Sequence, residues 1–162
     1  MNKTLNSYDF FFKNEGLDFG KTEKIVNESL RKADDGEIFL EFKQSESFVY
    51  DDKKIKNASA STDKGFGLRS VKDETSAYSH SSDISETSIK NAGKTVRSIL
   101  SSSSKSKIID PIRTNKKHYS NLNPMNGFSS EQKTKLLKSI DEYARKLDKR
   151  VKQVSASLHG EW

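Results

Sequence analysis

A chain of 162 residues with no cysteine has no disulfide framework and no thiolate metal ligand. Leu, Ile, Val and Phe number 36, about 22% of the chain, just above the level at which charged sequences stay unfolded, so the core is modest and the size suits one domain with part of another. The longest apolar run near the amino terminus, Phe10-Phe11-Phe12, is too short for a signal peptide or a membrane span, which predicts a cytoplasmic protein with no membrane partner.

The first helix is predicted from about Phe19 to Ala33, with Thr22, Ile25, Val26, Ser29, Leu30 and Ala33 on one stripe and Asp18 as its cap. Asp34-Asp35-Gly36 ends it. Alternation of Ile38, Leu40 and Phe42 with Glu37, Glu41 and Lys43 predicts a strand over 37–43, followed by a short one at 48–50. Beyond a turn at Asp51-Asp52-Lys53, residues 55–61 alternate again. Asp63-Lys64-Gly65 reads as a further turn, Phe66–Val71 as a strand, Lys72-Asp73-Glu74 as a turn, and Thr75–Ser79 as the last strand of the meander. A second helix is expected after Ser82 or Asp83, carrying Ile89, Ala92, Val96, Ile99 and Leu100.

Residues 1–100 carry a net charge of −1 and residues 101–162 a net +7, and the composition changes at the serine run Ser101–Ser104. A boundary is placed there: a first domain over 1–104, a linker over 105–128 that contains Pro111, Pro124 and Gly127, and the start of a second domain over 129–162. That second part opens with the clearest helix signal, Ser129 with Gln132 at capping-box spacing and a stripe of Leu136, Leu137, Ile140, Tyr143, Ala144 and Leu147. It closes on Val154–Trp162, whose alternation is that of a half-buried strand. A strand needs a neighbour and a cover, and nothing follows to supply them, so the expectation is the front part of a longer protein or a chain completed by a partner. The fold class expected is α+β: helices packed on a mostly antiparallel strand meander, then the helix and strand of an incomplete second domain.

His80, His118 and His159 are isolated from one another, with no second histidine at ligand spacing, which argues against a metal site. Gly65-Phe66-Gly67 lacks the third glycine and following helix of a dinucleotide loop; Gly65 and Gly67 instead suit a tight turn or a close backbone approach. Arg69 reads as a structural ion-pairing residue. The paired carboxylates Asp34-Asp35 and Asp51-Asp52 sit at turn signals, where Asp is favoured for its local hydrogen bonds. The basic residues between Lys133 and Lys152 are interspersed with Glu131, Asp141, Glu142 and Asp148 and lack interleaved aromatics, which favours a solvated helix face and no nucleic-acid partner.

In order and spacing, Glu46-Ser47-Phe48, Asp52 with Ile55-Lys56, Gly65-Phe66-Gly67-Leu68-Arg69, Tyr78 and Asp83-Ile84-Ser85 resemble the amino-terminal domain of the TldD/PmbA peptidase family. So do Asn123-Pro124-Met125, Glu131-Gln132-Lys133, Tyr143-Ala144-Arg145, Asp148-Lys149-Arg150-Val151 and Val154–Leu158, and this stretch is nearer the TldD branch than the PmbA (TldE) branch. The segment from Thr75 to Asp83 departs from the family pattern, which puts the local turn there in question. The resemblance implies a cytosolic zinc metallopeptidase acting on short or unfolded peptides, paired with a TldE/PmbA-like subunit or with itself. The family's zinc is held by a His-Glu-x-x-x-His motif and a later cysteine, whose glutamate activates water; neither occurs in this sequence. No catalytic, cofactor or metal residue is therefore carried over, and Gly65, Gly67 and Arg69 are expected to be structural. The chain reads as a non-catalytic portion of such an enzyme, inactive alone; the other reading is a stand-alone interaction module that binds a TldE-like partner or a peptide without hydrolysis.

Overall fold

A computed structural model describes residues 7–99 and 122–162. Its element order is α1 (Ser7–Asp9) running into a π turn (Phe10–Asn14), α2 (Phe19–Ser29), β1 (Asp35–Asp51), β2 (Lys54–Lys72), β3 (Thr75–Ser81), α3 (Glu86–Ile99), a 3-10 turn (Pro124–Gly127), α4 (Ser130–Leu147) and β4 (Ser155–Glu161). The strands form one antiparallel sheet in the order β3-β2-β1-β4, the α+β plan expected. The chain divides into two compact units, Met1–Phe42 with Lys64–Leu122, and Lys43–Asp63 with Asn123–Trp162. Residues 43–63 therefore cluster with the chain after Asn123, a grouping set by strand pairing.

In the first unit, α2 begins where Asp18 accepts the Lys21 amide at 2.8 Å, and it ends at Ser29; Ala33 is buried beyond the helix in the following turn. The crossing of α2 and α3 is close at Ser29 and Gly93, where a methyl group would run into the Ser29 hydroxyl. The core joins Phe11, Leu17, Leu30, Phe66, Leu68, Ala77, Ile84, Ile89, Ala92 and Val96, with Ile38, Leu40 and Phe42 of β1 packed against it. Even-numbered residues of β1 thus face inward, as their alternation predicts. The amino-terminal segment had no element assigned from sequence, yet its π turn delivers Phe11 to this core.

Two expected breaks in the meander do not occur. The strands expected at 37–43 and 48–50 are one strand, and the Asp63-Lys64-Gly65 turn is replaced by continuous β2. Polar residues at 44–47 and 56–64 suppress the sequence signal, but pairing with neighbouring strands holds the backbone extended. The hairpin between β1 and β2 falls at the expected place, with Asp52 and Lys53 both at positive φ.

In the second unit, Ser129 and Gln132 form the capping box that their spacing announces. β4 pairs with β1 from Ser45↔Glu161 to Asp51↔Ser155. The expectation that this strand lacks a neighbour within the chain is thus corrected: its partner lies more than a hundred residues upstream, too distant for local patterning to show. α4 covers the pair, with Leu137 packed on Phe48 and Tyr50 beside Ala156 and Leu158. Only part of the apolar stripe expected of α4 is used, since Leu136, Ile140, Tyr143 and Leu147 remain exposed. The 105–128 linker lies mostly outside the described residues; its last part contains the 3-10 turn, capped by the Asn123 side chain.

Candidate functional site

The motif residues of the first unit meet on the outer side of β2. Phe66, Leu68 and Ser70 point into the core, which leaves Gly65, Gly67 and Arg69 on the other face. Tyr78, opposite Arg69 on β3, folds its ring over Gly67: a Cβ there would stand 2.2 Å from the Tyr78 Oη. At Gly65 a Cβ would stand 2.8 Å from the Ser81 carbonyl oxygen. Both glycines therefore permit close approach, one of the two roles considered for them. Arg69 donates from Nε to Glu37 at 2.9 Å and from Nη2 to Asp35 at 3.1 Å. The Glu37 hydrogen bond, with the charges of both carboxylates, raises its already high pKa, so Arg69 is a permanent cation clamped across β1 and β2. Both carboxylates are thus engaged with Arg69.

A second cluster lies in the second unit. Lys133 projects from the first turns of α4 into a site where its side chain is 7% exposed, donating to both oxygens of Glu46 at 2.6 and 2.7 Å and to the Met125 carbonyl at 2.8 Å. All three ammonium donors are satisfied, and Nζ lies 5.8 Å from the Phe48 ring centre. More than three turns further along the helix, Arg145 binds Asp141 at 3.0 Å, the Lys152 carbonyl at 3.0 Å and Asp52 at 2.7 Å, tying the β1–β2 turn to α4 and to the segment after it. Asp141 first, then Asp52, raises the Arg145 pKa. Of the paired carboxylates at the hairpin, Asp51 accepts from Gln153 and Asp52 from Arg145, so both serve the turn's attachments. The sequence reading singled out Lys133, Glu46, Asp52 and Arg145 only as pieces of motif; spacing alone gives no sign that they meet.

Around His159, an open groove of about 330 Å³ is lined by Ser45, Glu46, Ser59, Ser61 and Glu161. Its carboxylates are already paired, Glu46 with Lys133 and Glu161 with Lys43 at 2.9 Å, and the hydroxyls of Ser45 and Ser61 bond each other at 2.8 Å. His159 is exposed on the polar face of β4, and His80 is exposed and stacked on Tyr78; His118 lies outside the described residues. Among the described residues no three His, Cys, Asp or Glu side chains converge on a point that could hold a metal ion. The exposed charges of α4 pair along the helix, Lys135 with Glu131 and Lys138 with Glu142. No described helix is long and apolar enough to cross a membrane.

This scaffold of paired strands recurs, in sequence and in shape, among relatives of the chain. Residues 36–100 match the family model for PmbA/TldA metallopeptidase domain 1. The chain belongs to the TldD/PmbA family. It is 34% identical over 134 residues to a metalloprotease TldD homolog of Buchnera aphidicola, covering 82% of this chain and 28% of that protein. Against the Haemophilus influenzae homolog it is 32% identical, over 80% of this chain and 28% of the relative. The chain thus spans between a quarter and a third of the length of these relatives. In shape it resembles TldE from Thermococcus kodakarensis, with a TM-score of 0.57 at 17% identity over 87% of this chain and 33% of that one. A Thermotoga maritima protein described as a modulator of a DNA gyrase gives 0.58 at 13% identity over 88% and 35%. At these identities the likeness establishes the fold.

Proposed function

We propose that this chain is the amino-terminal, non-catalytic portion of a TldD-like zinc metallopeptidase that processes short or unfolded peptides in the cytoplasm, contributing framework and subunit contacts while the chemistry resides elsewhere. The supporting observation is that four residues of the family motifs are engaged structurally: Gly67 lies under Tyr78, Arg69 between Asp35 and Glu37, Lys133 on Glu46, and Arg145 on Asp141 and Asp52. Residues held in this way have no free nucleophile, base or open coordination position to offer. In the intact enzyme the zinc would be held by residues outside those described here, and a TldE-like subunit would be the natural partner. Boundaries of 1–104, 105–128 and 129–162 remain the proposed division of the chain relative to the family's domains.

The test is a peptidase assay of the purified chain on an unfolded, fluorogenic peptide with zinc added in excess. Turnover no greater than that of the buffer is expected. Zinc-dependent hydrolysis abolished by a chelator would overturn the reading. An interaction module that never joins an enzyme is the second reading, favoured by the exposed face of α4; the coding region beyond Trp162 separates the two, since a downstream frame with His-Glu-x-x-x-His supports the enzyme.

A further inference from the structure

Asn126 stands apart from every other asparagine of the chain. Of the ten, it alone precedes a glycine. Asn126 and Gly127 are both exposed at the end of the 3-10 turn, and a Cβ built on Gly127 would meet nothing within 4 Å. The turn is lightly held, since the hydrogen bond from the Asn126 amide to the Asn123 carbonyl is long at 3.4 Å. Asn-Gly suits turns because glycine reaches backbone conformations that a side chain forbids. The same freedom lets the Gly127 amide nitrogen approach the Asn126 side-chain carbonyl carbon with no side chain in the way.

The other described asparagines lack that combination. Asn27, Asn57 and Asn91 lie in the regular backbone of α2, β2 and α3, and each precedes a residue with a side chain. Asn14 is followed by an amide that is bonded to the Phe10 carbonyl at 2.9 Å. Asn123 precedes Pro124, which has no amide proton, and its side chain donates to Gln44 at 2.7 Å and accepts from the Met125 amide at 3.0 Å.

We infer that Asn126 is a self-modification site, where the turn converts a side-chain amide into a carboxylate with water as co-reactant. The Gly127 amide gives its proton to solvent base, and its nitrogen bonds to Asn126 Cγ. The Cγ–Nδ2 bond breaks, and the amine leaves as ammonia after taking up a proton from solvent. Water then opens the cyclic imide at either carbonyl, giving aspartate, or isoaspartate in which the main chain runs through the former side chain. This chemistry needs neither a peptidase reaction nor a metal.

The position gives the products different consequences. Met125, one residue before, lends its carbonyl to the buried Lys133 ammonium at 2.8 Å, and Ser129, three residues after, caps α4. Aspartate keeps the backbone length and sets a negative charge just ahead of the positive end of α4, where it is favoured. Isoaspartate adds a methylene to the main chain between the two anchors, so the Lys133 bond and the Ser129 cap no longer fit the same span.

Incubation of the full chain in mildly alkaline buffer, then tandem mass spectrometry of the tryptic peptide His118–Lys133 and of the rest of the digest, tests it. Asn126 is expected to convert at least about fivefold faster than any other asparagine, and Gly127→Ala, whose methyl meets open space, to slow it at least about fivefold. The incubated chain is expected to unfold at a lower temperature than freshly prepared Asn126→Asp, because only isoaspartate lengthens the turn. Conversion no faster than at the other asparagines, an unchanged rate in Gly127→Ala, or an incubated chain that melts together with Asn126→Asp would overturn it.

Discussion

Replacing Lys133 by Met tests how the second unit is held together. The ammonium is buried, bonded to both Glu46 oxygens and to the Met125 carbonyl, and Glu46 is itself only 14% exposed in its side chain. Lys133→Met keeps most of the volume but leaves a buried carboxylate without a counter-charge and a carbonyl without a donor. Breaking a buried pair from one side costs about 3–5 kcal/mol, whereas replacing both partners by apolar groups of similar size is often close to neutral. Lys133→Met alone should therefore lose about 3–5 kcal/mol, and Lys133→Met combined with Glu46→Met should be more stable than either single variant. Urea unfolding followed by fluorescence reads this directly, because the chain's single tryptophan, Trp162, lies in the same unit and exchanges backbone bonds with Gln44 two residues from Glu46. If the losses of the two single variants simply add in the double variant, the pair is not coupled and the reasoning fails.

Glycine substitutions should separate backbone collisions from side-chain ones. At Gly36 an added methyl would stand 2.8 Å from the Arg69 carbonyl oxygen, which cannot move aside, so Gly36→Ala should cost about 1–3 kcal/mol in urea unfolding. Gly67→Ala meets only the exposed end of Tyr78, so the ring should swing away at a smaller cost, and adding Tyr78→Ala should leave no further penalty for the methyl; an equal loss at both glycines would contradict this. At the start of α3, Asp83 accepts from the hydroxyls of Ser88 and Ser85, which hold its carboxyl below the usual value. A folded-state pKa below the unfolded one gives stability that is present above the unfolded value, about 4, and is lost as pH falls through the folded value. Thermal unfolding scanned downward from pH 5 should therefore show a steeper acid loss for the native chain than for Asp83→Asn, and superimposable profiles would exclude the effect.

Local pattern was legible wherever its physics is local. The cap at Asp18, the capping box at Ser129 and Gln132, the hairpin at Asp52 and the alternation around Leu40 each depend on a few neighbouring residues, and the structure repeats them. The two unbroken strands were not legible, because the polar residues at 44–47 and 56–64 are held extended by ladders to other strands. Of the motif cluster, residue type left Gly65 and Gly67 between a tight turn and a close approach and suggested ion pairing for Arg69, while Tyr78, Glu37 and Asp35 were not legible as their neighbours. Lys133 with Glu46 and Arg145 with Asp52 join residues 87 and 93 positions apart, and a charge on a helix gives no hint of which strand will receive it. The resemblance to the family identified these residues as a set before any geometry explained it.

The register that joins Ser45 to Glu161 orders events as the protein is made. By the time Ile99 leaves the ribosome, every described element of the first unit except Leu122 has been synthesised and can pack through short loops. The second unit must hold Lys43–Asp63 in readiness until β4 appears, and it closes a loop of about a hundred residues, a slow search compared with local hairpin formation. During that interval the far half of the β1–β2 hairpin awaits its outer neighbour, and a ribosome pausing before β4 is made would lengthen its exposure to other unpaired strands.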